Sequence, residues 1–241
     1  MDSVANLMPD ARFVCRTYGR KDALNLSTAE FTALHSDDLL PVTTIPAWLG
    51  KKSYEGRWWL SRPAGHVAFA SGWERDVLIF LDYRGDVEGL VRDPVIVIPA
   101  RPARTPPIRP WLLIETTAGA RLMLLSRADT ERTPELATIL AGHNVGVAVI
   151  TLPRPDEMRR IRWLAGYRFS RFVLAPDIER RIRQCCHAGS SISTTVAAAV
   201  SAIPCGESTV RANIYSQLWR RTITLMNPHA AIADTTEVVA A

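Results

Sequence analysis

Glu74, in the run SGWERD, is the residue of this 241-residue chain with the plainest chemical potential. A carboxylate in the first turn of a helix, beside a strand and a hairpin, can hold a divalent cation. Metal-dependent phosphodiester cleavage needs such a group together with further oxygen ligands and a polarising or proton-transferring neighbour. Glu74 also follows Ser71 by three residues, the spacing of a capping box, so helix capping is the competing role. Further acids within reach along the chain are Asp93, Glu115 and Asp129. Trp111 opens the next hairpin, and Leu124, Leu125 and Ser126 lie on its second strand, where they are poor ligands. Cys185, Cys186 and His187 form the one dense group of soft ligands, but adjacent cysteines point in different directions and do not readily close a tetrahedral site with one histidine. Ordinary helix packing is the expectation there. The serines of SSIST lack the Gly-x-Ser-x-Gly setting of a hydrolase elbow, and Gly-x-Gly-x-x-Gly, phosphate-loop and His-Glu-x-x-His patterns are absent.

The elements that must position these residues follow from periodicity and turn signals. GRWWLSR and GHVAFASG, punctuated by Gly and Pro, predict a hairpin or irregular strand pair. Ser71 predicts the start of a helix through WERDVLIFLD, with Trp73, Val77 and Phe80 or Leu81 on one side. YRGDVEGLVRDP reads as a connection, VIVIPA as a strand and PARPARTPPIRP as a loop or extended edge. WLLIETTAGARLMLLSRA predicts a hairpin, TPELATILAGHN a helix ending near Gly142, and VGVAVIT a buried strand. Helix, strand, hairpin, helix, strand suits a mixed α/β sheet with helices on its faces. In PDEMRRIRWLAGYRFSRF an apolar stripe of Met158, Ile161 and Leu164 or Ala165 leaves Arg159, Arg160 and Arg162 largely exposed. Helical pieces are expected over 176–185, 192–203 and 209–219, then a short strand signal and turns. Residues 1–47 read as a loosely packed arm or an appendage, with a short helix over 28–34.

Composition narrows the class. With 47% hydrophobic and 22% charged residues the chain supports a substantial core, which excludes a disordered tail protein. The formal net charge is only +5, but nine arginines face four acids between residues 153 and 184, the place to seek an electrostatic footprint for nucleic acid. Four scattered cysteines fit a reducing compartment. No basic leader with an apolar core and no eighteen-residue apolar run is present, so a cytoplasmic location without membrane insertion is expected.

In order and spacing, SGWERD, DVEGLVRDP, the paired strands and RIRWLAGYR resemble the TnsA-like heteromeric transposase endonuclease subunits of the restriction-endonuclease-like family. The resemblance runs from Tyr54 to Val173 and more faintly through YSQLWRRTITLMNPHAAIADTTEV. It implies an α/β fold: a restriction-endonuclease-like mixed-sheet core over 54–172, an amino-terminal arm over 1–53, and a mainly helical carboxy-terminal domain over 173–241. That last domain is either winged-helix or an ordinary helical cap. The implied activity is DNA cutting at transposon ends beside a separate transposase, with magnesium at the centre. Glu74 matches the helix glutamate and would be the metal ligand. Asp93 and Pro94 fall where the family has Gln-Pro, Pro110 and Trp111 where it has Pro-Asp, and Leu124 to Arg127 where it has a Val-Asp-Val-Arg-like run. Glu74 and Arg127 are thus the retained catalytic positions, while Asp93, Trp111 and Leu125 are degenerate. The expectation is a pseudoenzyme of DNA transposition that positions duplex DNA or the transposase, with Arg159, Arg160, Arg162, Arg168 and Arg171 on phosphates. Two alternatives stay open. One is an active Mg²⁺-dependent endonuclease with rearranged carboxylates from Asp93, Glu115 or Asp129, and the other a non-catalytic soluble interaction protein.

Overall fold

Alternation in RFVCRT turns Phe13 and Cys15 to one side of a strand, and both are fully buried. In the computed structural model, which describes residues 11–45, 54–100, 106–187, 189–229 and 231–241, the chain divides into two units. One comprises Met1–Arg75 with Asp86–Thr151, the other Asp76–Gly85 with Leu152–Ala241.

The first unit opens with β1 (Arg12–Thr17), β2 (Leu24–Leu26), α1 (Thr28–Thr32) and β3 (Leu39–Leu40). A loosely packed arm or appendage is the expectation for this stretch, yet its Ala11, Phe13, Cys15, Phe31 and Leu39 belong to the core. Phe13 and Phe31 are fully buried and stack at 4.9 Å, and β1 pairs with β2, β3 and β7. Short strands of mixed polarity carry too weak a period to be read alone. The hairpin of β4 (Gly56–Leu60) and β5 (Gly65–Phe69) follows, then α2 (Gly72–Arg84), whose residues from Asp76 onward belong to the second unit.

After α2 come β6 (Val87–Arg92), β7 (Val95–Ile98), β8 (Leu112–Thr116), β9 (Arg121–Leu124), α3 (Thr133–Ile139) and β10 (Gly146–Ala148). The segment that reads as a connection is therefore a strand, β6. Acids and a glycine in DVEGLVR mask its alternation, and it carries a bulge between Val87 and Gly89. The sheet order is β10-β9-β8-β6, antiparallel except for the parallel pair β9 and β10. β10 is partly exposed rather than buried. Phe13, Phe31, Val97, Leu113, Met123, Leu125 and Leu136 belong to one buried cluster in this unit.

The second unit adds α4 (Pro155–Leu164), α5 (Pro176–Gln184), β11 (Ser190–Ser191), α6 (Ile192–Ala202), α7 (Glu207–Trp219), β12 (Ile223–Leu225) and β13 (Glu237–Ala240). Met158, Ile161, Leu164 and Ala165 are buried, as the stripe on α4 requires. β13 lies between β11 and β12, antiparallel to both. Ser191 caps α6 by accepting from the Thr194 amide at 3.1 Å. Among the described residues no helix is long and apolar enough to cross a membrane.

Candidate functional site

Helix α2 begins as its capping residues dictate. The Glu74 amide donates to Ser71 Oγ at 3.1 Å, while Glu74 Oε2 accepts from the Ala70 amide at 2.6 Å, one residue earlier than a standard capping box. Capping therefore holds the carboxylate in place without withdrawing it. Its charge partner is Arg92, at the end of β6, whose Nη2 stands 3.8 Å from Glu74 Oε2. The other terminal nitrogen, Nη1, lies 2.8 Å from Asp93 Oδ2, which also accepts from Thr43 Oγ1 at 2.6 Å. One guanidinium thus sits on two carboxylates, and all three side chains are between 13% and 17% exposed.

Asp93 reaches this position through backbone that side chains rarely adopt. Its φ is +46°, in the left-handed region, at the turn between β6 and β7. The Asp93 amide donates to the Trp111 carbonyl at 2.8 Å and its carbonyl accepts from the Val42 amide at 2.9 Å. Those bonds oppose a conformational cost of about 1–2 kcal/mol, of a kind that concentrates at functional sites. Arg92 also lines a cleft of about 880 Å³ in the first unit, between the stretch from Ser36 to Ile45 and the β4–β5 hairpin.

The other expected site residues are placed less favourably. Trp111 is 3% exposed and packs on Trp73 at 5.3 Å, with its amide donating to the Leu124 carbonyl at 2.8 Å. Leu125 lies in the buried cluster. Arg127 is exposed at the start of a 3-10 turn, and among the described residues it makes no ion pair with Glu74 or Asp93. The two carboxylates do converge, but on Arg92, a residue that the sequence pattern does not single out. Its adjacency to Asp93 in VRDP is the available signal.

The proposed substitutes are engaged elsewhere. Asp129 accepts from Ser126 Oγ at 2.6 Å and closes a local turn. Glu115 accepts from the Ser36 amide and hydroxyl at 3.1 and 3.0 Å and from Arg121 Nε at 3.1 Å. Arg121 in turn holds the carbonyls of Thr32 and Leu34, so this group pins the segment after α1 to the sheet. Gly89 is required there, since a Cβ would come within 2.1 Å of Ser36 Oγ.

A magnesium ion does not fit this set. The two positions to which the resemblance would assign carboxylate ligands hold a buried indole and a buried isobutyl group, and Glu74 and Asp93 already share an organic cation. Among the described residues no group of three or more His, Cys, Asp or Glu side chains is arranged to hold a metal. Cys186 is buried, donates to the Ile182 carbonyl, and has its thiol pushed up to about 11 by burial and by Cys185, which disfavours the thiolate a metal would need.

The basic stretch in the second unit is only partly available. Both ends of the Arg162 fork grip the Asp76 carboxylate, at 2.9 and 2.6 Å. Arg168 donates to the Ala165 carbonyl at 2.7 Å and lies 3.7 Å from Asp82, while burial pulls its pKa below the ordinary arginine value. The Arg160 side chain is 8% exposed and 3.9 Å from Glu157, so it is not the exposed group expected. Arg159 and Arg171 remain at the surface, the latter over the rings of Phe169 and Phe172. Arg180 and Arg181 on α5 are also exposed and are not among the expected contacts. The amphipathic pattern of PDIERRIRQ is their signal.

α7 contributes no open face toward a ligand along its second half. Every residue from Asn213 to Trp219 is buried, Tyr215 packs at 4.8 and 4.9 Å against Trp163 and Tyr167, and Glu207 at the helix start pairs with Arg211. Trp163 and Tyr167 thus pack on Tyr215, although Trp163 stays 44% exposed. The chain matches no protein-family model and no curated protein.

Proposed function

We propose that this chain is a TnsA-like subunit of a DNA-transposition assembly, built on a restriction-endonuclease-like core and serving to position duplex DNA or a transposase without cutting. The observation that carries the reading is a helix, α2, followed by a sheet of order β10-β9-β8-β6 in which β6, β8 and β9 are antiparallel, β7 branches off to pair with β1, and α3 leads into the parallel strand β10, with Glu74 still at the start of the leading helix. The absence of cleavage rests on Trp111 and Leu125, which put buried apolar groups where oxygen ligands belong.

The carboxy-terminal part favours a winged-helix module over a plain helical cap. Its order of helix, strand, helix, helix, strand, strand closes with β13 between β11 and β12, as a wing does. The second half of its third helix, α7, is however buried in its own unit, and the exposed start carries Glu207, an acid unsuited to phosphate, so groove reading through that helix is not part of the proposal. DNA contact falls instead to exposed arginines such as Arg159 and Arg171, which act on phosphate and carry no sequence information.

Titration of a fluorescent duplex at several salt concentrations tests this. Binding is expected to weaken as salt rises, and Arg159→Ala with Arg171→Ala to flatten the log–log slope by about 0.9 for each phosphate no longer neutralised. Arg162→Ala is expected to lower stability first, because it removes a two-pronged partner of the 8%-exposed Asp76. Duplex binding that is absent at low salt, with and without the transposase, would defeat the proposal.

A further inference from the structure

The carboxylates of Glu74 and Asp93 are held by groups other than Arg92. Ser71 and the Ala70 amide fix the glutamate through the helix start. Thr43, with the Val42 and Trp111 backbone, fixes the aspartate. Two negative side chains so constrained would repel each other unless a cation lay between them. Arg92 supplies it from the intervening strand end, with one terminal nitrogen toward each carboxylate, 3.8 and 2.8 Å away. The fit is that of a charge and not of a fork. Arg92 makes no two-pronged pair with either acid, and its buried Nε has no hydrogen-bond partner among the described residues.

We propose that the Arg92 guanidinium is a tethered cation that occupies the carboxylate pair and bars divalent ions from it, and that shortening Arg92 turns Glu74, Asp93 and Thr43 Oγ1 into a divalent-cation site. The oxygen donors are hard, as Mn²⁺, Mg²⁺ and Ca²⁺ prefer, and the 880 Å³ cleft that Arg92 lines gives the ion and its waters a route in. Two carboxylates and a hydroxyl make a weak site. This inference stands on the geometry of the first unit and does not depend on DNA binding or transposition.

Mn²⁺ binding to the full chain, followed by the loss of free-ion EPR signal, tests it in wild type, Arg92→Ala, Arg92→Gln, Arg92→Lys and Arg92→Ala combined with Glu74→Gln. Wild type and Arg92→Lys, which keeps a cation, are expected to leave the ion free. Arg92→Ala and Arg92→Gln are expected to bind one equivalent with Kd on the order of 10⁻⁴–10⁻³ M, the range of sites with few charged ligands. The Glu74→Gln combination is expected to lose it. Recovery of a cooperative melt by Mn²⁺ in a shortened variant would support the proposal equally. Glu74-dependent Mn²⁺ binding by wild type would overturn it. So would Arg92→Ala and Arg92→Gln chains that fold without binding, or that stay unfolded with and without Mn²⁺, since the scaffold must hold the acids without Arg92.

Discussion

Replacing Glu179 by alanine is expected to lower the stability of the second unit by about 1–3 kcal/mol, the cost of removing a buried charged acceptor from its donors, since Arg220 is exposed and regains water. Glu179 lies on α5 with its side chain 8% exposed. Arg220 donates to its two oxygens at 3.0 and 2.5 Å, Asn213 Nδ2 to Oε1 at 2.8 Å, and the Leu174 amide to Oε1 at 3.2 Å. Behind it, Gln217 donates to Asn213 at 2.7 Å and Arg183 to Gln217 at 2.9 Å. This chain of polar groups joins α5 to α7. Without the carboxylate the Asn213 amide, itself fully buried, loses an acceptor for which water has no easy access.

The pH dependence follows from the same groups. Burial alone would raise the Glu179 pKa, but the hydrogen bonds from Arg220 and Asn213, the Arg220 charge and the Leu174 amide together hold it below the ordinary carboxylate value. A depressed folded-state pKa stabilises above the unfolded value, near 4.3, and that contribution disappears as pH falls through the folded value. Urea denaturation followed by far-UV circular dichroism is expected to show wild-type stability falling in acid below about pH 4, with a smaller acid loss in Glu179→Ala. An alanine variant as stable as wild type at neutral pH would contradict the network's role.

Trp111→Asp, which restores the acid that the family resemblance places there, is expected to destabilise the first unit by about 3–5 kcal/mol and to give no nuclease. Trp111 fills buried space against Trp73, and the replacement either leaves a cavity or buries a charge with no cation assigned to it. Nor would it complete a metal site, because Leu125 stays in the core and Arg92 stays on Glu74 and Asp93. A denaturant midpoint well below wild type and intact supercoiled DNA in Mg²⁺ are the expected readings. A stable variant that nicks DNA would show the missing activity to be one residue away.

How much of this is legible in the sequence depends on the range of the interaction. The Ser71 start of α2, the β8–β9 hairpin, the Gly142 turn and the stripe on α4 are local patterns, and each lies where the spacing puts it. β1 and β6 escape such a reading because their composition is mixed and each has a partner far along the chain, β7 for β1 and β8 for β6. At the candidate site, Glu74 and Asp93 are visible as acids, but the guanidinium between them is not. An arginine at the end of a strand reads as solvated until the fold brings a helix start beside it. The reverse holds in the basic stretch, where Arg162 and Arg168 read as a phosphate surface and instead meet Asp76 and Asp82 on α2, some eighty residues earlier.

Strand cleavage tests most directly the proposed nuclease-like core that positions without cutting. Supercoiled and linear duplex DNA would be incubated with the full chain and the proposed transposase partner in Mg²⁺ or Mn²⁺, in a complex shown separately to assemble on DNA, with Glu74→Ala alongside. The account predicts an assembled complex that leaves the DNA intact, with no difference between wild type and Glu74→Ala. Metal-dependent cutting that disappears in Glu74→Ala would contradict it.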